Sequence, residues 1–162
     1  DWSSDVCSSD LKQNIEVAKF HANEMDLNID YIYCEPEKLK INKKFNVILN
    51  MEVVEHVSNI DLFIEHCSKL IEKNGIMFVA TINKNLKSYI YAILGAEYIL
   101  NWLPIGTHDW EKFLTPNDLE IISNRHSFRT DQTVGMKFNL LLKKWFESKD
   151  SSVNYISTFL KN

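Results

Sequence analysis

Glycine is scarce in this 162-residue chain: four residues, Gly75, Gly95, Gly106 and Gly135, too dispersed to build a Gly-rich turn. The three cysteines, Cys7, Cys34 and Cys67, are unevenly spaced and form no disulfide framework, which suits a reducing compartment. No stretch approaches the roughly 20 consecutive apolar residues that a membrane-crossing helix needs. An excess of positive charge is also missing. Eighteen Lys and Arg against 22 Asp and Glu leave a formal charge of −4, so the field that nucleic acid demands is absent and a nucleic-acid partner is excluded. What is present, 45% apolar and 25% charged residues, is the balance of a globular chain with one core. The expectation is a one-domain cytoplasmic protein, or part of one.

Residues 1–11 read DWSSDVCSSDL. They have neither the basic start nor the apolar stretch of a secretory signal, and no periodicity that assigns them to a helix or strand. The stretch resembles a translated sequencing adapter, and is expected to be a non-native leader outside the fold of 12–162.

From Lys12 onward the pattern alternates. Ile15, Ala18, Ala22 and Met25 fall on one helical stripe. IDYIY at 29–33 is a short strand stopped near Pro36, and FNVILNM at 45–51 is a near-continuous apolar run, the signature of a strand buried on both faces. A helix is predicted over 59–73, closed by Asn74-Gly75, which suit a left-handed position. IMFVATI at 76–82 is a second buried strand, parallel to and beside the first. Thr115-Pro116-Asn117-Asp118 opens a helix, and 128–139 with 152–160 read as a closing antiparallel pair. Lys143-Lys144 before Trp145-Phe146 reads as a solvated loop. This is the grammar of an α/β, Rossmann-like sheet, in which ligands sit beyond the carboxyl ends of the strands. Those ends are Asn50-Met51-Glu52 and Thr81-Ile82-Asn83.

The densest chemistry follows the first buried strand: Met51-Glu52-Val53-Val54-Glu55-His56. Glu52, Glu55 and His56 stand at i, i+3 and i+4, so one helical turn would aim all three the same way. Such a set could hold a divalent ion that acidifies a bound hydroxyl. It could equally be a solvated helix start, with acids at the positive dipole end. Spacing alone leaves both open.

NMEVVEHV, NGIMFVATINKN, GAEYIL, GTHDW and the late SVNY together resemble the ubiquinone-biosynthesis O-methyltransferase family, from about residue 14 to 162. The resemblance implies a Rossmann-like sheet that binds S-adenosylmethionine. It implies that Met51 touches the adenosine portion of that cofactor, and that Glu52, Glu55 and His56 are magnesium ligands. It also implies O-methylation of a polyprenylated phenol or quinol, with His56 as the alternative general base and His108 as a second candidate. Enzymes of this kind begin with a strand ending in a Gly-rich turn and a second strand ending in an acidic residue. The latter position falls near Ser9, so the sheet is expected to lack its first two strands, and the chain is expected to be the later part of a methyltransferase domain.

Residues 84–105 carry Tyr89, Ile93, Tyr98 and Trp102 behind Lys84 and Lys87. They are expected to form a lid or membrane-facing insertion, peripheral at the inner face of the cytoplasmic membrane, where a polyprenylated substrate resides. A complex with other quinone-synthesis enzymes is the partner the resemblance adds. The rival readings are another small-molecule S-adenosylmethionine-dependent methyltransferase and a noncatalytic α/β binding module.

Overall fold

The structure, a computed structural model, describes residues 5–9, 11–35, 38–85, 88, 110–139 and 142–162. It divides into two compact units, Asp1–Asn42 and Lys43–Asn162. In the first, β1 (Asp5–Ser9) runs parallel to β2 (Ile29–Tyr33), and α1 (Lys12–Glu24) connects them. The helix buries Ile15 and Ala22, whereas Met25, expected on the same stripe, is exposed.

β1 corrects two expectations. Residues 5–9 lie within the fold instead of outside it, and one strand does precede the first helix. The cause is that parallel pairing uses backbone groups: the ladder from Asp5↔Ile29 to Ser9↔Tyr33 asks nothing of the side chains. The Cys34 N–H extends the same contact by donating to the Ser9 carbonyl at 3.0 Å. Side-chain alternation, the signal available in sequence, does not register such a strand.

The second unit contains β3 (Phe45–Met51), α2 (Ile60–Leu70), β4 (Ile71–Ile82), a 3₁₀ turn at Trp110–Lys112, α3 (Pro116–Arg125), β5 (Phe128–Asn139), β6 (Lys144–Ser148) and β7 (Asn154–Lys161). Its sheet runs in the order β3-β4-β7-β5-β6. β3 and β4 are parallel, as predicted; the remaining pairs are antiparallel, including the expected β5–β7 closure. Two readings need correction. β3 is not buried on both faces, since Val47, Leu49 and Met51 are exposed. It is an end strand of this sheet, and an apolar run does not by itself say how much packs against it. Residues 144–148 are a strand, not a loop; with Lys144, Trp145, Phe146 and Glu147 all exposed, no alternation marks them.

α2 starts where the Asn59 side chain accepts the Leu62 N–H at 3.1 Å, and buries Phe63, Ile64 and Cys67. α3 starts with Pro116 and a reciprocal cap between Thr115 and Asp118. Both helices feed a core of Val54, Phe63, Ile64, Met77, Val79, Leu119, Phe128, Tyr155 and Phe159. Each fully buried apolar side chain of this size contributes about 1.5–3 kcal/mol. α2 ends three residues before the predicted 73. Ile71 already pairs with Phe45, and the next pair is Val47 with Ile76, so 72–75 loop out with Asn74 at φ 64°. Gly75 serves close approach here: a Cβ would stand 2.6 Å from Ile71 Cγ1 and 2.9 Å from the Asn46 carbonyl oxygen.

Among the described residues no helix is long and apolar enough to cross a membrane. After β4, Asn83 donates to the Ser151 carbonyl through Nδ2 at 2.9 Å and to the Val153 carbonyl through its backbone N–H at 2.7 Å. Asn85 Nδ2 donates to the Ser152 carbonyl at 2.6 Å. Lys84 donates to the Glu111 carbonyl at 2.7 Å and lies over the Trp110 ring at 5.2 Å. Lys84, expected to face lipid headgroups, is thus engaged by protein groups.

Candidate functional site

The carboxyl ends of β3 and β4 lie side by side, with Met51 opposite Ala80. The Glu52 N–H extends the ladder by donating to the Ala80 carbonyl at 3.0 Å. Glu52 then adopts φ 54°, a left-handed conformation that costs a non-glycine residue about 1 kcal/mol or more and reverses the chain. Val54 dives into the core, and the His56 N–H closes the turn on the Val53 carbonyl at 2.9 Å. The segment is a tight turn, not the helical turn that the i, i+3, i+4 spacing suggested.

This geometry brings two of the expected side chains together. Glu55 is 4% exposed, and its Oε2 accepts the Thr81 hydroxyl at 2.9 Å. The Glu52 carboxyl lies close enough to Glu55 to feel its charge. Glu52 is exposed as a residue, yet its carboxyl is desolvated against the turn. Desolvation first, then the Glu55 charge, push its pKa up to about 8. Glu52 therefore keeps its proton near neutral pH.

A stability consequence follows from this retained proton. Folded Glu52 binds its proton more tightly than an ordinary carboxyl at 4.5. Its contribution is complete below about 4.5 and is lost as pH rises through about 8. Glu52→Gln, which mimics the protonated acid, is expected to match the wild type in thermal unfolding at acid pH and to exceed it above pH 8. An identical pH slope in both proteins would show that Glu52 retains no proton.

His56 is exposed on the turn. Among the described residues no three His, Cys, Asp or Glu side chains gather as a metal site, so Glu52, Glu55 and His56 do not fit a common magnesium centre in this arrangement. The reason is the turn itself. It buries Glu55 under Thr81 and leaves His56 on the exposed side. Met51 is 52% exposed at the end of β3.

Sequence reasoning missed two partners. Thr81, singled out only as a strand end, fixes Glu55. Tyr155, within SVNY, is fully buried and donates to the Leu114 carbonyl at 3.0 Å. Burial, then the charges of Asp118 and Glu55, raise its phenol well above the usual range, so it is a donor here and not an acid. Cys67 is inert as expected: burial holds its thiol up at about 12, and Asn50 Nδ2 donates to its sulfur at 3.8 Å. GAEYIL, His108 and most of 84–105 lie outside the described residues.

Comparison with known proteins places this geometry in context. A family model described as "Methyltransferase domain" matches residues 3–132, well over half the chain and including β1. The ubiquinone biosynthesis O-methyltransferase of Pelagibacter ubique is 60% identical over 151 residues, which cover 93% of this chain and 63% of that protein. The chain thus spans somewhat under two thirds of that curated relative. Among solved structures, a SAM-dependent methyltransferase from Thermotoga maritima superposes with a TM-score of 0.70 at 14% identity, covering 97% of this chain and 72% of the other. Magnesium protoporphyrin IX methyltransferase from Synechocystis, solved with bound S-adenosylhomocysteine, superposes with a TM-score of 0.65 at 14% identity, covering 97% and 63%. With a mixed sheet of this order and a family match over most of its length, the chain belongs to the methyltransferase-domain family.

Proposed function

We propose that the protein takes part in ubiquinone synthesis by O-methylating a polyprenylated catechol or quinol, with S-adenosylmethionine as donor. The observation that carries this reading is the 60% identity to the Pelagibacter ubique enzyme of that name. The fold alone does not choose the acceptor, since the names of the two superposed methyltransferases give no common substrate.

Bound S-adenosylmethionine would supply an electrophilic methyl group on a sulfonium. Met51 would hold its adenosine against the end of β3, beside the Glu52–His56 turn. A phenol with a pKa of about 10 must lose its proton around the moment of attack. His56, exposed on the turn, accepts that proton as general base. Glu52 is unsuited to the task near neutral pH because it already holds a proton, and Glu55 is buried under Thr81. The acids instead fix the turn that presents His56. Positioning of acceptor and donor supplies much of the rate in such a one-step displacement.

The polyprenyl tail would lie in the bilayer, with 84–105 as the covering element. Association with other enzymes of the same synthesis is part of this proposal. The test is transfer of labelled methyl from S-adenosylmethionine to a short-chain prenylated catechol by the full-length protein. Labelled ether is the expected product. Cofactor binding without transfer to any catechol would overturn the reading and favour a different acceptor.

A further inference from the structure

The turn that carries His56 is tied to β4 at two consecutive residues. The Glu52 N–H donates to the Ala80 carbonyl at 3.0 Å, and the Thr81 hydroxyl donates to Glu55 Oε2 at 2.9 Å. The first tether is made of backbone, so almost any sequence could form it. The second depends on a single side chain, and it holds the residue immediately before His56. Both of its partners are deep in the protein: Thr81 is 1% exposed and Glu55 4%. A carboxyl group buried to that degree must find a donor inside the fold or lose stability.

Two neighbouring donors are engaged elsewhere. Tyr155 stands beside Thr81 in the β4–β7 register, but its hydroxyl donates to the Leu114 carbonyl at 3.0 Å. Asn50, on β3, sends Nδ2 to the Cys67 sulfur at 3.8 Å. The His56 N–H closes the turn on Val53 while its side chain stands exposed, so the direction of the imidazole follows from the shape of the turn. We propose that Thr81 is a positioning residue for methyl transfer. Its hydroxyl fixes Glu55, and Glu55 fixes the aim of His56 at the acceptor phenol. The inference rests on the reading of His56 as general base given above, and extends the site to a residue too buried to meet either substrate.

Thr81→Val removes the hydroxyl at nearly constant volume, whereas Thr81→Ser keeps it and removes a methyl group. In the full-length protein, with S-adenosylmethionine and a short-chain prenylated catechol, Thr81→Val should lower kcat about tenfold or more, with both KM values little changed. Thr81→Ser should recover most of the rate, which a packing role alone would not produce. Glu55→Leu should show the same fall in kcat, and adding Thr81→Val to it should lower kcat no further, since the effect passes through Glu55. That last comparison strands no buried acceptor, so it decides the matter even if Thr81→Val alone does not fold. Wild-type kcat in Thr81→Val, equal losses in Thr81→Val and Thr81→Ser, or a further loss in the double variant would each overturn the proposal. Should the wild type methylate no catechol, the functional reading fails separately, and nuclear magnetic resonance of the labelled His56 ring then follows the turn. Signals displaced in Thr81→Val and not in Thr81→Ser support the positioning; signals unmoved in both overturn it.

Discussion

His56→Ala in the full-length protein is expected to lower kcat by about 10²–10⁴-fold, with KM and thermal unfolding little changed. The side chain is exposed on the turn, and the hydrogen bond that closes this turn uses the backbone N–H, which alanine retains. Packing therefore loses little. Under the proposed mechanism, what is lost is the acceptor for the phenolic proton, because Glu52 already holds a proton and Glu55 is buried under Thr81. A second measurement separates this role from a structural one. Acceptors whose phenol is more acidic need less help, so the variant's deficit should shrink along a series of electron-poor catechols. A deficit that stays constant along the series would assign His56 to positioning, and equal kcat would remove it from the reaction.

Gly135→Ala is expected to destabilise the protein by about 3 kcal/mol or more, a large share of a typical domain's stability. Gly135 pairs with Ser148 on one side and Tyr155 on the other. An added Cβ would overlap the Asp150 carbonyl and approach the Ser151 nitrogen within 2.8 Å. These are backbone atoms, not the end of a flexible side chain. They cannot retreat freely, because the carbonyls of Ser151, Ser152 and Val153 accept from Asn83 and Asn85, and Lys137 holds Asp150 at 3.0 Å. Equilibrium denaturation should show the loss, with a drop in midpoint temperature of about 2–4 °C per kcal/mol. A change below about 0.5 kcal/mol, the range of neutral surface substitutions, would mean that the segment after β6 is not held as the hydrogen bonds indicate.

Much of the architecture was legible because apolar periodicity records it. β2, β3 and β5 have the bounds read from sequence, and the parallel neighbours β3 and β4 follow from crossover geometry. β1 and β6 were not legible. The first is built of Asp, Val, Cys and Ser, which pair through backbone alone; the second is exposed on both faces and so lacks alternation. At the site, proximity to a strand end located Met51, Glu52, Glu55 and His56. Spacing misjudged their conformation, because the left-handed backbone at Glu52 and the burial of Val54 replace a helical turn by a reverse turn. Whether such acids hold a metal or a proton depends on that local shape. No count of residues between them carries it.

The fastening of Asn83, Lys84 and Asn85 to Ser151–Val153 and Glu111 has an evolutionary reading. These contacts take backbone carbonyls as acceptors, so they depend on Asn83 and Asn85 and not on the side chains at 151–153. Those side chains can drift among descendants of this gene while β4 and β7 keep their register.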